Sequence, residues 1–135
     1  MTGEHDLDAL LRNMKPELLG GIFVFCTIPP SEPIPAAVNP LLTFREQEGT
    51  TLVILREEAE ASGLRSAFAS RLITLTVHSA LDAVGFLAAV TARLAEAGIS
   101  VNAVSAFHHD HLFVPVERAD EALKVLQEMS EAKRL

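Results

Sequence analysis

The stretch Ser105 to Pro115, "SAFHHDHLFVP", concentrates side chains able to do chemistry: His108, His109, Asp110 and His111 lie in four consecutive positions between two apolar runs. Three chemistries use these residue types. The first is metal binding. In a strand His109 and His111 face one way and His108 and Asp110 the other, and His78 adds a further imidazole. A structural zinc site wants four ligands, however, while His5 is remote in sequence and Cys26 lies in an apolar run. The second is nucleophilic catalysis. His78, Ser79 and Asp82 have the residue types of a triad, but no sharp G-x-S-x-G turn exposes the serine, which reads as a loop hydroxyl or a helix cap. The third is a polar turn between strands, which keeps a sheet edge from aggregating. Within such a turn the Asp110 carboxylate is able to pair with an ammonium or a guanidinium. The residues by themselves leave these readings open. The expectation is a non-enzymatic protein with no metal and no cofactor.

The elements that must hold this stretch follow from periodicity. "RLITLTVHS", 71–79, reads as a strand, and "DAVGFLAAVTARLAEAG", 82–98, as a helix with an apolar stripe of Val84, Leu87, Ala88, Thr91, Leu94 and Ala95. Gly98 ends that helix. "ISVNAVSAF", 99–107, and "HLFVPV", 111–116, read as antiparallel strands. "RADEALKVLQEMSEA", 118–132, reads as a helix burying Ala122, Val125, Leu126 and Met129. In the strand 99–107, Asn102 opposes Val101 and Ala103 in parity, as a pocket or interface residue, whereas Phe107 reads as core.

The first half has a similar order. "DLDALLRNM", 6–14, is an amphipathic helix with Asp6 as N-cap, ended by Pro16 and Gly20-Gly21. "GIFVFCTI", 21–28, is a buried strand. The connector "PPSEPIPAAVNP" has too many prolines for helix or strand. Residues 41–55 form a hairpin around Glu48-Gly49, and "REEAEASGL" a short helix with Gly63 at its end. "TLVILREEAEASGL" and "HLFVPVERADEALKVL" echo one another, so the chain reads as an internal duplication whose first copy has prolines where its first helix belongs. A split β-α-β unit implies a ferredoxin-like α+β fold, mainly antiparallel sheet with helices on one face. Each copy alone buries little surface. The strand edges left by two small sheets favour pairing, and a homodimer is expected.

Composition narrows the function classes. The chain has 135 residues, 49% of them hydrophobic, with seven Phe and neither Trp nor Tyr, so the core must be aliphatic. A net charge of −7 argues against nucleic acid and against anionic lipid as partners. The single Cys26 forms no intramolecular disulfide and reads as a buried hydrophobe. The acidic N-terminus does not read as a signal peptide, and no apolar run approaches the roughly 20 residues of a membrane helix. A cytoplasmic protein is expected.

The run "RLITLTVHSALDAVGFLAAVTARLAEAGISVNAVSAFHHDHLFVPVERADEAL" resembles an ACT domain, a small βαββαβ regulatory module. Gly85 in "DAVGFL" matches the family's turn glycine, and "LAEAGISVNAVSA" its helix end and second strand. The chain is similar to short bacterial tandem ACT-like proteins of unassigned function. Its turn, Phe107 to Pro115, is also similar to that of the cytosolic arginine sensors of animal cells. The resemblance covers 70–130 well and 20–65 weakly. It implies a degenerate ACT-like half at 1–66, an ACT domain at 67–135, and a regulatory protein that binds an amino acid or similar metabolite. In the sensors the matching aspartate contacts the amino acid and the glycine turn supplies backbone groups. The resemblance therefore implies a site at Ala83, Val84, Gly85 and Asp110, to which the strand and turn add Asn102, Phe107 and His109. The alternative is a structural or partner-binding module without a small-molecule ligand.

Overall fold

The computed structural model describes residues 2–135. They divide into two compact units, a smaller one of Gly21–Ser70 and a larger one that joins the N-terminal residues up to Gly20 to Arg71–Leu135. The N-terminal segment thus packs with the second half of the chain, a grouping that local periodicity does not show.

In the smaller unit, β2 (Phe23–Ile28) runs between β4 (Thr50–Leu55) and the first part of β5 (Ser66–Leu75), and β3 (Leu42–Arg45) pairs with the far side of β4. All three pairings are antiparallel. The apolar strand residues alternate as a two-faced sheet requires. Val24, Cys26, Ile28, Leu52 and Ile54 point to one face, where Ala59 of helix α2 (Arg56–Ala61) and Val38 of the connector cover them. The connector has no regular structure, because its prolines lack donors. Glu58 bonds the backbone N–H of Asn39 at 2.6 Å and so ties the connector to α2.

The larger unit repeats this order. The second part of β5 runs between β1 (Pro16–Leu18) and β7 (Asp110–Pro115), with β6 (Asn102–Ser105) at the edge. Strand β1 is too short to read from periodicity. It pairs antiparallel with β5, Glu17 opposite Thr74. Helices α1 (Leu7–Asn13), α3 (Phe86–Glu96) and α4 (Ala119–Ala132) supply the other layer. They close over Ile73, Leu75, Leu112 and Val114, with Leu10, Met14, Phe86, Val90, Leu94 and Leu126 from the helices. Burying each such side chain stabilises the fold by about 1.5–3 kcal/mol.

Two details differ from the sequence expectation. Helix α3 starts at Phe86 rather than Asp82, and its buried stripe is Phe86, Val90 and Leu94, while Val84 is 86% exposed. The i, i+4, i+8 series of the largest residues sets the face, and the alanine-rich flank stays partly open. On α4, Ala122, Val125 and Leu126 are buried as the spacing requires, whereas Met129 is only half-buried. Each unit therefore carries an α+β, antiparallel, ferredoxin-like arrangement.

Candidate functional site

Asp110 opens β7 and is 5% exposed. Strand pairing sets it opposite Ser105, whose hydroxyl donates to Oδ1 at 2.5 Å. From the end of β5's extension, the Ser79 hydroxyl donates to Oδ2 at 3.0 Å. Among the described residues, no Lys, Arg or His forms an ion pair with this carboxylate. A buried carboxylate answered only by neutral hydroxyls retains much of its desolvation cost, which a cation would offset.

The carboxylate lines a cavity of ≈ 50 Å³ together with Ser79, Ser105, Ala80, Leu81, Ala83, Phe86 and Leu87. Two of those residues form the first turn of α3, whose N-cap is Gly85 with no side-chain cap. Gly85 has φ +92°, a left-handed conformation open to glycine at little strain. The free N–H groups of such a turn attract anions. The cavity thus joins an acceptor-rich wall to residues of an uncapped helix end. Each serine spends its hydrogen on Asp110, so both hydroxyl oxygens offer only lone pairs to a guest.

The wall at 78–82 is fixed by the N-terminus. Glu4 bridges to Ser79: its N–H donates to the His78 carbonyl at 2.8 Å, and its carbonyl accepts from Ala80 N–H at 2.9 Å. The His5 ring meets the Asp82 carboxylate at 2.8 Å, and that hydrogen bond lowers the Asp82 pKa.

Of the seven residues expected at the site, the cavity brings together Ala83 and Asp110. Gly85 caps the adjoining helix, and Val84 projects into solvent. Asn102 pairs with Phe113 and lies three residues from Ser105, so its side chain points to the opposite sheet face from Asp110. His109 bonds the Val77 carbonyl through Nδ1 at 3.3 Å. Phe107, read as core, is 61% exposed in the turn between β6 and β7. Ser79 and Ser105 were not among the expected ligand residues. The signal for Ser105 was its position across a four-residue turn from Asp110, which makes the two a cross-strand pair on one face.

The histidines make a chain of rings. His78 lies 5.4 Å from His108, His108 6.3 Å from His109, and His109 6.4 Å from His111, centroid to centroid. Among the described residues no group of three or more His, Cys, Asp or Glu is placed to hold a metal ion. His111 shares a 2.9 Å hydrogen bond with Thr74, and its pKa is lowered by burial first and by His109 second.

ACT-domain family models match residues 2–71 and residues 68–128. The chain belongs to the ACT-domain family. The chain is similar to a Vibrio cholerae protein of unknown function, described as a possible transport protein, at 45% identity and a TM-score of 0.81, covering 92% of this chain and 95% of that one. A protein from Agrobacterium tumefaciens matches at 22% identity and TM-score 0.73, covering 85% and 87%. The regulatory subunit of aspartate kinase from Thermus flavus shares the fold at 12% identity and TM-score 0.62, covering 85% of this chain and 96% of that one. No curated protein matches the sequence significantly. ACT domains are regulatory modules, and no described helix of this one is long and apolar enough to cross a membrane.

Proposed function

We propose that this ACT protein is a non-enzymatic regulatory protein that binds a small amino acid at the Asp110 cavity. The observation that carries the reading is the buried Asp110 carboxylate, which has hydroxyl partners and no ion pair, beside the uncapped first turn of α3. The guest's ammonium faces Asp110, Ser79 and Ser105, and its carboxylate faces the helix N-terminus. A volume of ≈ 50 Å³, against about 30 Å³ for one water, admits the ammonium end of the guest, and glycine, alanine and serine are small amino acids that present one. A single buried cysteine suits a reducing compartment, the cytoplasm.

The reading includes a homodimer. Strand β6 ends the sheet order, carries no charged residue or proline, and exposes Asn102, Ala103 and Ser105. Unprotected edges of this kind pair with another strand. Light scattering at micromolar concentration is expected to give twice the 14.6 kDa chain mass.

Calorimetric titration with glycine, L-alanine and L-serine tests the site. At least one is expected to bind. Asp110→Ala should weaken it tenfold or more, in line with the roughly 2–5 kcal/mol lost when one partner of a buried charge pair is removed. No binding to any of the three, or equal binding by the variant, would sink the reading.

A further inference from the structure

We infer that the smaller unit holds a second, independent ligand site, on the sheet face that α2 does not cover, for a monocarboxylate with an apolar body. The core of this unit takes Val24, Cys26, Ile28, Leu52 and Ile54 on one face. Register sends the intervening residues to the other face. Phe25 pairs with Val53 and Val53 with Leu42, and in the next row Thr27 pairs with Thr51 and Thr51 with Phe44. No helix of this unit lies over that face; Val53 in the first row is fully buried, while in the second row Thr27 is exposed and Phe44 is 66% exposed.

A groove of ≈ 470 Å³ lies here, lined by Phe25, Thr27, Thr51, Arg65 and Ala67 together with Cys26 and Ser66. That is the volume of a small-molecule site. Its shape comes from an irregularity in the β2–β5 pairing, where Phe23 pairs with Ser70 but Phe25 with Ala67. Phe68 in that bulge has φ +58°, a conformation costly for a bulky residue. Its ring meets Phe25 edge-on at 5.9 Å and 68°, which holds Phe25 as a rigid wall.

Charge selects the guest. Arg65 is exposed at the groove and joins no ion pair among the described residues, unlike Arg56 and Arg118, which pair with Glu60 and Glu121. The Glu46 carboxylate accepts a hydrogen bond from the Thr51 hydroxyl at 2.6 Å. A free guanidinium beside an aromatic wall matches a carboxylate carried on a flat apolar group.

Phenylacetate is the probe, with benzyl alcohol as its uncharged counterpart, and amide chemical shifts of the full chain are the readout. Phenylacetate at up to about 10 mM, the range expected of a fragment-sized ligand, should shift the Phe25, Thr27 and Ala67 amides. Benzyl alcohol and the Arg65→Gln variant should each bind about tenfold more weakly. Arg65 is exposed and unpaired, so the variant keeps the parent spectrum elsewhere. The absence of shifts overturns the site. Equal shifts with benzyl alcohol, or undiminished binding by Arg65→Gln, reduce it to an apolar contact and overturn the carboxylate assignment. Because the probe reads residues 25–67, these outcomes are separate from the fate of the Asp110 site.

Discussion

The two hairpins, β3–β4 and β6–β7, are the same structure with different contents. Arg45 faces Thr50 in one and Ser105 faces Asp110 in the other, and all four pairs of each ladder map onto the other by a shift of 60 residues. Leu52 and Leu112 are equivalent and both fully buried. Where the larger unit has the Asp110 carboxylate, the smaller has Thr50. Where the larger has the first turn of α3, the smaller has a proline-rich connector with no helix at all. The backbone plan alone therefore does not make the proposed amino-acid site. That proposal rests on a buried charge and an open helix end added to the plan, and only one copy holds both.

The largest test of the comparison is energetic. The larger unit's core cluster is the more extensive. Leu112→Ala and Leu52→Ala are each expected to cost roughly 2–5 kcal/mol by leaving a cavity. Amide exchange should separate them: Leu52→Ala removes protection from residues 21–70 while the β6–β7 amides stay protected. If Leu52→Ala exposes both units equally, they unfold as one and the division has no energetic meaning.

A smaller effect concerns two glycines. At Gly85 an added Cβ meets only Leu7 Cδ2 at 3.8 Å, so the positive φ is the obstacle. Gly85→Ala should cost about 1–2 kcal/mol by urea denaturation. At Gly49 the obstacle is contact, since a Cβ would lie 2.5 Å from the Ile28 carbonyl. Gly85 is needed for its conformation and Gly49 for close approach. An unchanged urea midpoint for Gly85→Ala would remove that distinction.

The smallest effect is on pH. His111 in the larger unit corresponds to Thr51, which does not titrate. Burial depresses the folded-state pKa of His111 below its ordinary value of about 6.5. The unfolded chain then binds the proton more readily, so this contribution to stability is complete above pH ~6.5 and is lost as pH falls through the folded pKa. Melting temperature should drop on acidification from pH 7 to pH 5, and His111→Gln should flatten that drop. A profile unchanged by the substitution would show that His111 is not its source.

Local pattern in the sequence determined much of this protein. The hairpins, the four helices among the described residues, the irregular course of the proline segment and the duplication are all legible, because strand alternation, helical spacing and missing proline donors act over a few residues. The candidacy of Asp110 came instead from the likeness of its turn, Phe107 to Pro115, to that of the arginine sensors. The phase of α3 was not legible, since alanines fit either flank and packing decides between them. Strand β1 was not, because three residues carry no period. Only the tertiary structure brought Ser79, 31 residues away, to the Asp110 carboxylate, turned Asn102 to the opposite face, and joined the N-terminal segment to the second half. Those outcomes depend on which strands become neighbours, and that choice is made by burial of the whole core rather than by any residue's near neighbours.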